Sequence, residues 1–140
     1  FKGQGVAIDG KPVTRRPLKR APNGLMGWGV RKLFDKQLSA DQRRRLGPLT
    51  TLNCAGREYV ELLRGTYDFN LYRRTKPWDH AAGALMMVEA GGQAARFNGA
   101  PFRPEGPLDG GIISGLTAEA VTAAKDVLER VELPLLAPRQ

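Results

Sequence analysis

Residues 77–92, with the sequence PWDHAAGALMMVEAGG, constrain the fold of this chain more than any other stretch. Pro77 keeps the residue before it extended, so the stretch predicts a strand that leads into a helix. Asp79 is expected to be the N-cap of that helix, because its carboxylate can accept hydrogen bonds from the N–H groups of the first turn. The pair Gly91–Gly92 predicts where the helix ends, since glycine readily adopts the positive φ angle found there.

The surface of the predicted helix has two further features. Small residues at positions 81–84 allow another backbone or a ligand to approach one flank closely. Other residues recur at roughly helical spacing. They are Trp78, Ala82, Leu85, Met86 and Glu89. A buried, capped helix without any role in chemistry is a sufficient interpretation of these features.

The order of residues in this stretch also resembles a known signature. Trp-Asp-x-Ala-Ala-Gly at 78–83, followed six residues later by Glu-Ala-Gly-Gly at 89–92, is similar to the C-terminal motif of the inositol monophosphatase family. Members of that family are magnesium-dependent phosphatases of small phosphorylated metabolites, and the motif aspartate binds the metal at the head of the helix. The resemblance therefore implies that Asp79 is a ligand for Mg²⁺, an ion that prefers carboxylate and other oxygen ligands.

Residues 1–13 are predicted to form a hairpin, because Asp9–Gly10 is a tight-turn pair between two extended segments. The segment resembles the hairpin that closes the first half of inositol monophosphatases. This implies that residues 1–13 belong to the end of an N-terminal half and that residues 14–140 form the C-terminal half. The N-terminal, metal-binding half of the family is absent from this sequence, and the resemblance makes that missing half an expected partner.

Strands alternate with helices along the rest of the chain, which predicts an α/β fold. The predicted strands are 25–30, 49–52, 67–72 and 110–114, and Asn98–Gly99 predicts a hairpin turn. The predicted helices lie between 31 and 46 with Ser39 as an N-cap, between 53 and 64 with Gly65 as the stop, and after Thr117. The resemblance implies that these elements form the C-terminal layer of an αβαβα sandwich, with a mainly parallel sheet and flanking helices.

Asn53, Cys54 and Ala55 stand where the family has a Gly-Ser/Thr-Ala turn that lines the substrate pocket. The resemblance implies that these three residues contact the substrate through backbone N–H groups and small side chains at a helix N-terminus. The alternative is that Cys54 is only a small buried apolar residue, as unpaired cysteines usually are. A nucleophilic role for this cysteine is not expected, because the single histidine, His80, lies on another element.

The family commonly has a glutamate seven residues before the motif aspartate, and that glutamate binds substrate hydroxyls. Here the position is Tyr72, and Arg73 and Arg74 follow it. The departure weakens the case for inositol 1-phosphate and favours a substrate with an additional anionic group, which a guanidinium can bind with two parallel hydrogen bonds. Tyr72 and Arg73 are therefore candidate substrate-binding residues. The alternative is that both arginines face solvent.

Relatives of the family hydrolyse fructose 1,6-bisphosphate, histidinol phosphate or adenosine 3′,5′-bisphosphate, and fold analogy cannot choose among these substrates. No catalytic residue is expected within this half, because the family's other metal ligands lie upstream. One carboxylate cannot hold a catalytic Mg²⁺ firmly, so the 140 residues alone are expected to be inactive, whereas the parent protein is expected to be a phosphatase. Outside enzymes, the alternative is a non-catalytic binding module.

Charge and composition bear on the partners of the chain. The net charge of +8 raises nucleic acid as a ligand, but the basic residues are scattered and no nucleic-acid-binding signature accompanies them, so none is expected. No apolar run approaches the ~20 residues that span a bilayer, so no membrane association is expected. A single cysteine is compatible with a reducing cytoplasm, the expected location. The resemblance also allows a homodimer, since many members of the family are dimers.

Overall fold

The computed structural model describes residues 2–129, apart from the side chains of residues 28, 33, 35 and 128. Residue 1 of the predicted segment 1–13 and residues 130–140 of the predicted segment 14–140 lie outside the described residues. A short hairpin, β1 Ala7–Ile8 and β2 Lys11–Pro12, precedes the main sheet. The strands of the main sheet are β3 Gly24–Met26, β4 Leu49–Thr50, β5 Phe69–Tyr72, β6 Gln93–Ala95 and β7 Ile112–Gly115. The helices are α1 Trp28–Gln37, α2 Ala40–Arg45, α3 Ala55–Arg64, α4 Pro77–Glu89 and α5 Ala118–Glu129.

The α/β class with flanking helices is confirmed, but the main sheet is mixed rather than mainly parallel. Its strand order is β4-β3-β5-β7-β6. Strand β3 is parallel to both β4 and β5, whereas β7 is antiparallel to both β5 and β6. A parallel pair needs a crossover that returns the chain to its starting edge. The segment between β6 and β7 contains no helix to make that return, so β7 enters the sheet from the opposite direction.

Helices cover both faces of the main sheet. Side chains alternate along each strand, so every strand contributes side chains to both faces. Phe69 and Leu71 of β5 point to the face that packs against apolar residues of α1 and α5. Tyr72, on the other side of the same strand, packs with Ala84 of α4 and Ile112 of β7. The α3 and α4 layer also receives apolar side chains of the N-terminal segment. These are Val6, Ile8 and Val13.

The predicted N-terminal hairpin is present. Asp9 and Gly10 both have positive φ angles, 51° and 74°, which is the combination that a tight two-residue hairpin turn of type I′ requires. The backbone N–H groups of Gly3 and Gly5 donate to Oε2 of Glu89 at 2.7 and 3.3 Å. These bonds hold the hairpin against the C-terminal end of α4, and the Gly3 N–H group lowers the pKa of Glu89.

The strand predicted at 25–30 ends at Met26, and the rest of that segment is the start of α1. Gly27 is the turning point, because its carbonyl oxygen accepts from the N–H groups of Val30 and Arg31 at 2.9 and 3.0 Å. Val30 is buried in the core one turn before Phe34. A short apolar run does not distinguish a buried strand from the first turn of a buried helix, which explains the error.

Helix α4 begins three residues earlier than predicted, so Asp79 is not its N-cap. The N-cap is Lys76, and Pro77 occupies the first helical position, where its fixed φ angle suits a helix and its missing N–H group is not needed. Asp79 therefore lies in the first turn of the helix. The predicted end is confirmed, since Gly91 has a φ of 79° and Gly92 donates to the carbonyl of Met87 at 2.8 Å, as in a Schellman motif.

The buried face of α4 differs from the spacing noted in the sequence. Trp78 is 77% exposed, and Leu85 and Val88 are also exposed. The residues that face the protein are His80, Gly83, Ala84 and Met87. A Cβ atom at Gly83 would overlap the ring of Tyr59, so the close approach predicted for the small residues of this helix is made by an aromatic ring of α3.

The other strand predictions are confirmed with changed bounds. The strand predicted at 49–52 is shortened to the two residues of β4, which are half-buried at the sheet edge. The strand predicted at 67–72 begins at Phe69, and all its residues are buried because helices cover both faces. The turn at Asn98–Gly99 closes with a bond from the Arg96 N–H group to the carbonyl of Ala100 at 2.8 Å.

The predicted helix termini at Ser39, Gly65 and Thr117 are confirmed. Ser39 and Gln42 form a reciprocal capping box at the start of α2. Gly65 ends α3 with a φ of 77°. The hydroxyl of Thr117 accepts from the N–H group of Ala120 at 3.2 Å at the start of α5. Each of these is a local signal in which one side chain or one backbone angle decides the boundary.

Candidate active site

Three helices begin at one edge of the main sheet. Because β3, β4 and β5 are parallel, their C-terminal ends meet at the same edge, and α1, α3 and α4 start from the segments that follow them. The segments 51–54 and 73–76 contain or adjoin every residue predicted to bind substrate, and Asp79, the predicted metal ligand, lies in the first turn of α4. In α/β sheets, ligands commonly bind outside the carboxyl ends of parallel strands.

The helices at this edge lack side-chain caps. The N-cap residues of α1, α3 and α4 are Gly27, Cys54 and Lys76, and none of their side chains accepts from the first turn. By contrast, Ser39 caps α2 and Thr117 caps α5, which start elsewhere. The first N–H groups of α1 and α3 are therefore not engaged by a side-chain cap, whereas α4 offers fewer, because Pro77 has no N–H group and that of Asp79 donates to the carbonyl of Lys76 at 3.0 Å. The helix dipole adds partial positive charge at the start of all three helices. The edge is therefore suited to an anion.

Asn53 and Cys54 lie on the loop before α3. Asn53 has a positive φ of 56°, a conformation that asparagine tolerates better than most residues. Its N–H group donates to Oγ1 of Thr51 at 3.1 Å and is thus already engaged. Cys54 is exposed, so the alternative that it is a small buried residue is wrong. Ala55, the first residue of α3, is half-buried and packs against Tyr72 and its neighbours.

A buried carboxylate holds this loop. Glu58, in the first turn of α3, is 1% exposed. Its Oε1 accepts from the backbone N–H group of Leu52 at 2.7 Å and from the hydroxyl of Thr51 at 3.2 Å. Its Oε2 accepts from the hydroxyl of Tyr72. Burial raises the pKa of Glu58, and the bonds from Leu52 and Thr51 oppose that rise.

Tyr72, at the end of β5, points inward. Its hydroxyl is committed to Glu58, and its ring packs against the rings of Tyr59 and His80, with centroids 6.5 and 4.5 Å away. The part of Tyr72 that could hydrogen-bond a ligand therefore serves the protein instead. Its predicted contact with substrate stays a prediction, limited to the ring.

His80 joins α4 to its two neighbours at this edge. Its Nε2 lies 3.1 Å from the carbonyl oxygen of Arg74, and its Nδ1 lies 3.2 Å from the hydroxyl of Tyr59. A carbonyl can only accept, so Nε2 carries the proton and Nδ1 accepts from the tyrosine. Burial lowers the pKa of His80 and raises that of Tyr59 to about 12, which keeps both groups neutral in this arrangement.

Asp79 and the two arginines are the charged groups predicted to meet ligands here. Asp79 is exposed in the first turn of α4. Arg73 is half-buried and Arg74 is exposed. In the part of the chain that the structure describes, Asp79 has no cation and neither arginine has a carboxylate within ion-pair distance. These three charges therefore remain available to a ligand.

Asp79 fits the chemistry of one magnesium ligand, because Mg²⁺ is usually held by one or two carboxylates with water completing its shell. Within residues 2–129, however, no three side chains of His, Cys, Asp or Glu are grouped to hold a metal ion. The remaining protein ligands of such an ion would have to come from outside these residues.

The sequence did not predict the roles of Glu58, Tyr59 and His80. These roles depend on contacts among α3, β5 and α4, which no local pattern in the sequence indicates.

Comparison with known proteins gives a family. The model of the inositol monophosphatase family matches residues 1–132. Among solved structures, the chain is similar to inositol monophosphatase from Anabaena (Nostoc) sp. PCC 7120, with a TM-score of 0.72 and 16% identity over 92% of this chain and 52% of that one. Inositol monophosphatase II from Staphylococcus aureus matches with a TM-score of 0.71 and 20% identity over 91% of this chain and 48% of that one.

A third similar structure is a hypothetical protein from Pyrococcus horikoshii with similarities to inositol-1 monophosphatase. Its TM-score is 0.69 at 22% identity, over 94% of this chain and 50% of that one. The chain thus spans about half the length of the solved structures that it matches. No curated protein matches the sequence significantly.

We expect Tyr72→Phe to destabilise the protein by about 1–3 kcal/mol, because Oε2 of the buried Glu58 loses its donor. Urea unfolding measures the effect. Tyr67→Phe is the matched control, since Tyr67 is half-buried and its hydroxyl makes no hydrogen bond within the described chain; its effect should stay within about 0.5 kcal/mol. Equal effects in the two variants would show that the Tyr72 hydroxyl is not tied to Glu58.

The free energy of unfolding should fall as the pH drops from 7 to 5, because of His80. Its pKa is lower in the folded protein than the unfolded value of about 6.5, so the unfolded state binds more protons there and stability is lost below that pH. Glu58, whose pKa is raised, acts in the opposite direction. His80→Gln removes the only histidine, and the loss of stability toward pH 5 should be smaller in that variant. An unchanged pH dependence would contradict the neutral, buried imidazole.

Proposed function

The chain belongs to the inositol monophosphatase family, and on that premise we propose that it forms the C-terminal half of a Mg²⁺-dependent phosphatase of a small phosphorylated metabolite. The observation that carries this proposal is the set of groups that meet at the sheet edge where the parallel strands end. Three uncapped helix N-termini lie there, with Arg73 and Arg74 free of carboxylate partners in the described chain and one exposed carboxylate, Asp79. Helix N-termini and guanidinium groups attract phosphate oxygens.

Each residue of the edge has a separate role in this proposal. Asp79 is a ligand of Mg²⁺, and the bound ion would polarise the phosphoryl group and activate a water molecule. The N–H groups of Cys54 and Ala55 bind phosphate oxygens at the start of α3. Arg73 orients an additional anionic group of the substrate. The bonds of Glu58 to Leu52 and Tyr72 keep the α3 loop in place while the ligand binds.

We infer that the enzyme needs a second half to complete the metal site. One carboxylate is too few, and the chain spans about half the length of the structures that it matches. The outer face of α4 supports this inference, because Trp78, Leu85 and Val88 leave an apolar stripe uncovered, whereas surface helices usually keep such residues inward. Gly3 and Gly5 bind Glu89 at the end of this helix, so the N-terminal segment already lies beside the stripe.

The proposed substrate is a phosphate monoester. Structures of the staphylococcal relative carry inositol monophosphate in one case and 2′-AMP in another, two monoesters with different organic parts. In this chain Tyr72 presents no carboxylate to substrate hydroxyls, and two arginines adjoin it. A substrate with an extra anionic group, such as fructose 1,6-bisphosphate or adenosine 3′,5′-bisphosphate, is therefore favoured over inositol 1-phosphate, and histidinol phosphate is a further alternative.

The second candidate function is a non-catalytic module that binds a phosphorylated ligand. The observation that favours it is the single free carboxylate at an otherwise positively charged edge, since residues 2–129 contain no grouped metal ligands. The sequence upstream of this chain in its gene discriminates between the candidates. An Asp-x-Asp-Gly-Thr motif there supports the phosphatase, and its absence supports the module.

Other properties stay predictions. A cytoplasmic location and a homodimer rest on the sequence and on the resemblance, and we propose no nucleic acid partner despite the net charge of +8. The helices that the structure describes are all too short or too polar to cross a bilayer.

Asp79→Asn should lower Mg²⁺-dependent phosphate release by about 100-fold or more, because even outer-shell partners of metal ligands typically cost 10–100-fold. The assay uses the chain produced together with the sequence upstream in its gene. The same assay on the 140 residues alone should show no release. Asp126→Asn is the matched control, since it makes the same change at an exposed position of α5. Full activity in Asp79→Asn would contradict the metal assignment, and release by the 140 residues alone would contradict the need for a second half.

Arg73→Ala and Arg74→Ala should reduce kcat/KM for bisphosphates more than for monophosphates, by roughly tenfold for a lost charged hydrogen bond. The measurement compares fructose 1,6-bisphosphate and adenosine 3′,5′-bisphosphate with inositol 1-phosphate in each variant. Arg44→Ala, at an exposed position of α2, should leave the ratios unchanged. An unchanged selectivity in both test variants would place these arginines outside the substrate site.

A further inference from the structure

A buried guanidinium lies outside the candidate active site. Arg96 follows β6 and is 7% exposed. Its Nη1 donates to Oγ1 of Thr75 at 2.7 Å and to the carbonyl oxygen of Asp109 at 3.2 Å, and it lies 5.1 Å from the ring centroid of Phe102. No carboxylate of residues 2–129 lies within ion-pair distance of it. Arginine is almost never buried so deeply without an anionic partner, because desolvating an unpaired charge is costly.

The guanidinium also has unused donors. Arginine offers five N–H groups, and both hydrogen bonds of Arg96 come from Nη1, so the N–H groups of Nη2 and Nε have no acceptor in the described chain. The one enclosed side-chain polar atom without a partner there is Nδ2 of Asn70. The unused donors of Arg96 are therefore not sealed inside the protein, and they must face open space.

That space is a cavity of about 530 Å³ between the turn after β6 and the loop before β7. Its charged lining residues are Arg96, Arg103 and Asp109, and Arg103 also lies 4.0 Å from the carboxylate of Glu105. Gly106 keeps the cavity open at the guanidinium, because a Cβ atom at that position would stand 2.9 Å from Nη2 of Arg96. Apolar residues form part of the wall. They are Phe97, Pro101 and Pro107. Pockets of this volume hold small organic molecules.

We propose that this cavity binds the oxyanion group of a small molecule, a phosphate or a carboxylate, on the free edge of the Arg96 guanidinium. The bound group supplies the negative charge that the buried cation lacks. Guanidinium forks match both kinds of anion with two parallel hydrogen bonds. No lining residue of the cavity belongs to the candidate active site, although Arg96 is bonded to Thr75 of segment 73–76. The proposal does not rest on the proposed phosphatase function.

Titration of inorganic phosphate into the protein tests the site, with EDTA present and ionic strength held constant. The amide resonances of residues 97–110 should shift saturably. The Kd should rise roughly tenfold or more in Arg96→Gln, the effect of losing a charged hydrogen bond. It should also rise in Gly106→Ala, which keeps the arginine but places a Cβ atom 2.9 Å from Nη2, on the edge of the guanidinium that the anion would occupy. Arg44→Gln, which removes an exposed arginine of α2, should leave the Kd unchanged.

Acetate at the same ionic strength separates the two kinds of anion. A response to phosphate alone assigns a phosphate group, and a response to acetate alone assigns a carboxylate. No saturable shift with either anion overturns the proposal, and so does a Kd that is unchanged in Gly106→Ala. In those cases the role of Arg96 is structural only: its hydrogen bonds connect Thr75 to Asp109 in the loop before β7. If Arg96→Gln does not fold, Gly106→Ala decides the outcome.

Discussion

The carboxylate of Glu58 is the constraint on which the candidate site depends. It is buried, and three donors from two different elements converge on it: the Leu52 N–H group, the Thr51 hydroxyl and the Tyr72 hydroxyl. Removing one partner of a buried charge is strongly destabilising, so the loop before α3 and the end of β5 are fixed relative to each other. The positive φ of Asn53 is held by the same loop. A flexible surface loop would not present its backbone N–H groups in one direction.

This constraint also accounts for the tyrosine at a position where the family commonly has a glutamate. A carboxylate at position 72 would lie beside that of Glu58, and two neighbouring carboxylates cannot both ionise at low cost. A hydroxyl donor at the same place satisfies Glu58 instead. In this chain residues 58 and 72 are therefore coupled through one buried hydrogen bond.

The sequence predicted best those features that depend on one residue and its neighbours. The Asp9–Gly10 turn, the caps at Ser39 and Thr117 and the glycine stops all follow from local geometry. The N-cap prediction for Asp79 is wrong because two local signals competed, and Pro77 at the first helical position prevailed over an aspartate cap. The direction of β7 and the burial of Glu58 rather than the half-buried Glu61 depend on distant contacts. On the sequence the two glutamates of α3 look alike, and what distinguishes them is contact with Thr51, Leu52 and Tyr72.

The separations along the chain carry a consequence for the order in which the protein assembles. The network around Glu58 and His80 connects residues at most 21 positions apart, and short loops close with little loss of chain entropy. The bonds from Gly3 and Gly5 to Glu89 span 86 and 84 positions. During synthesis the hairpin leaves the ribosome before α4, so its bonds to Glu89 cannot form until α4 has followed it. The loop at the sheet edge can therefore acquire its native geometry before the hairpin is anchored.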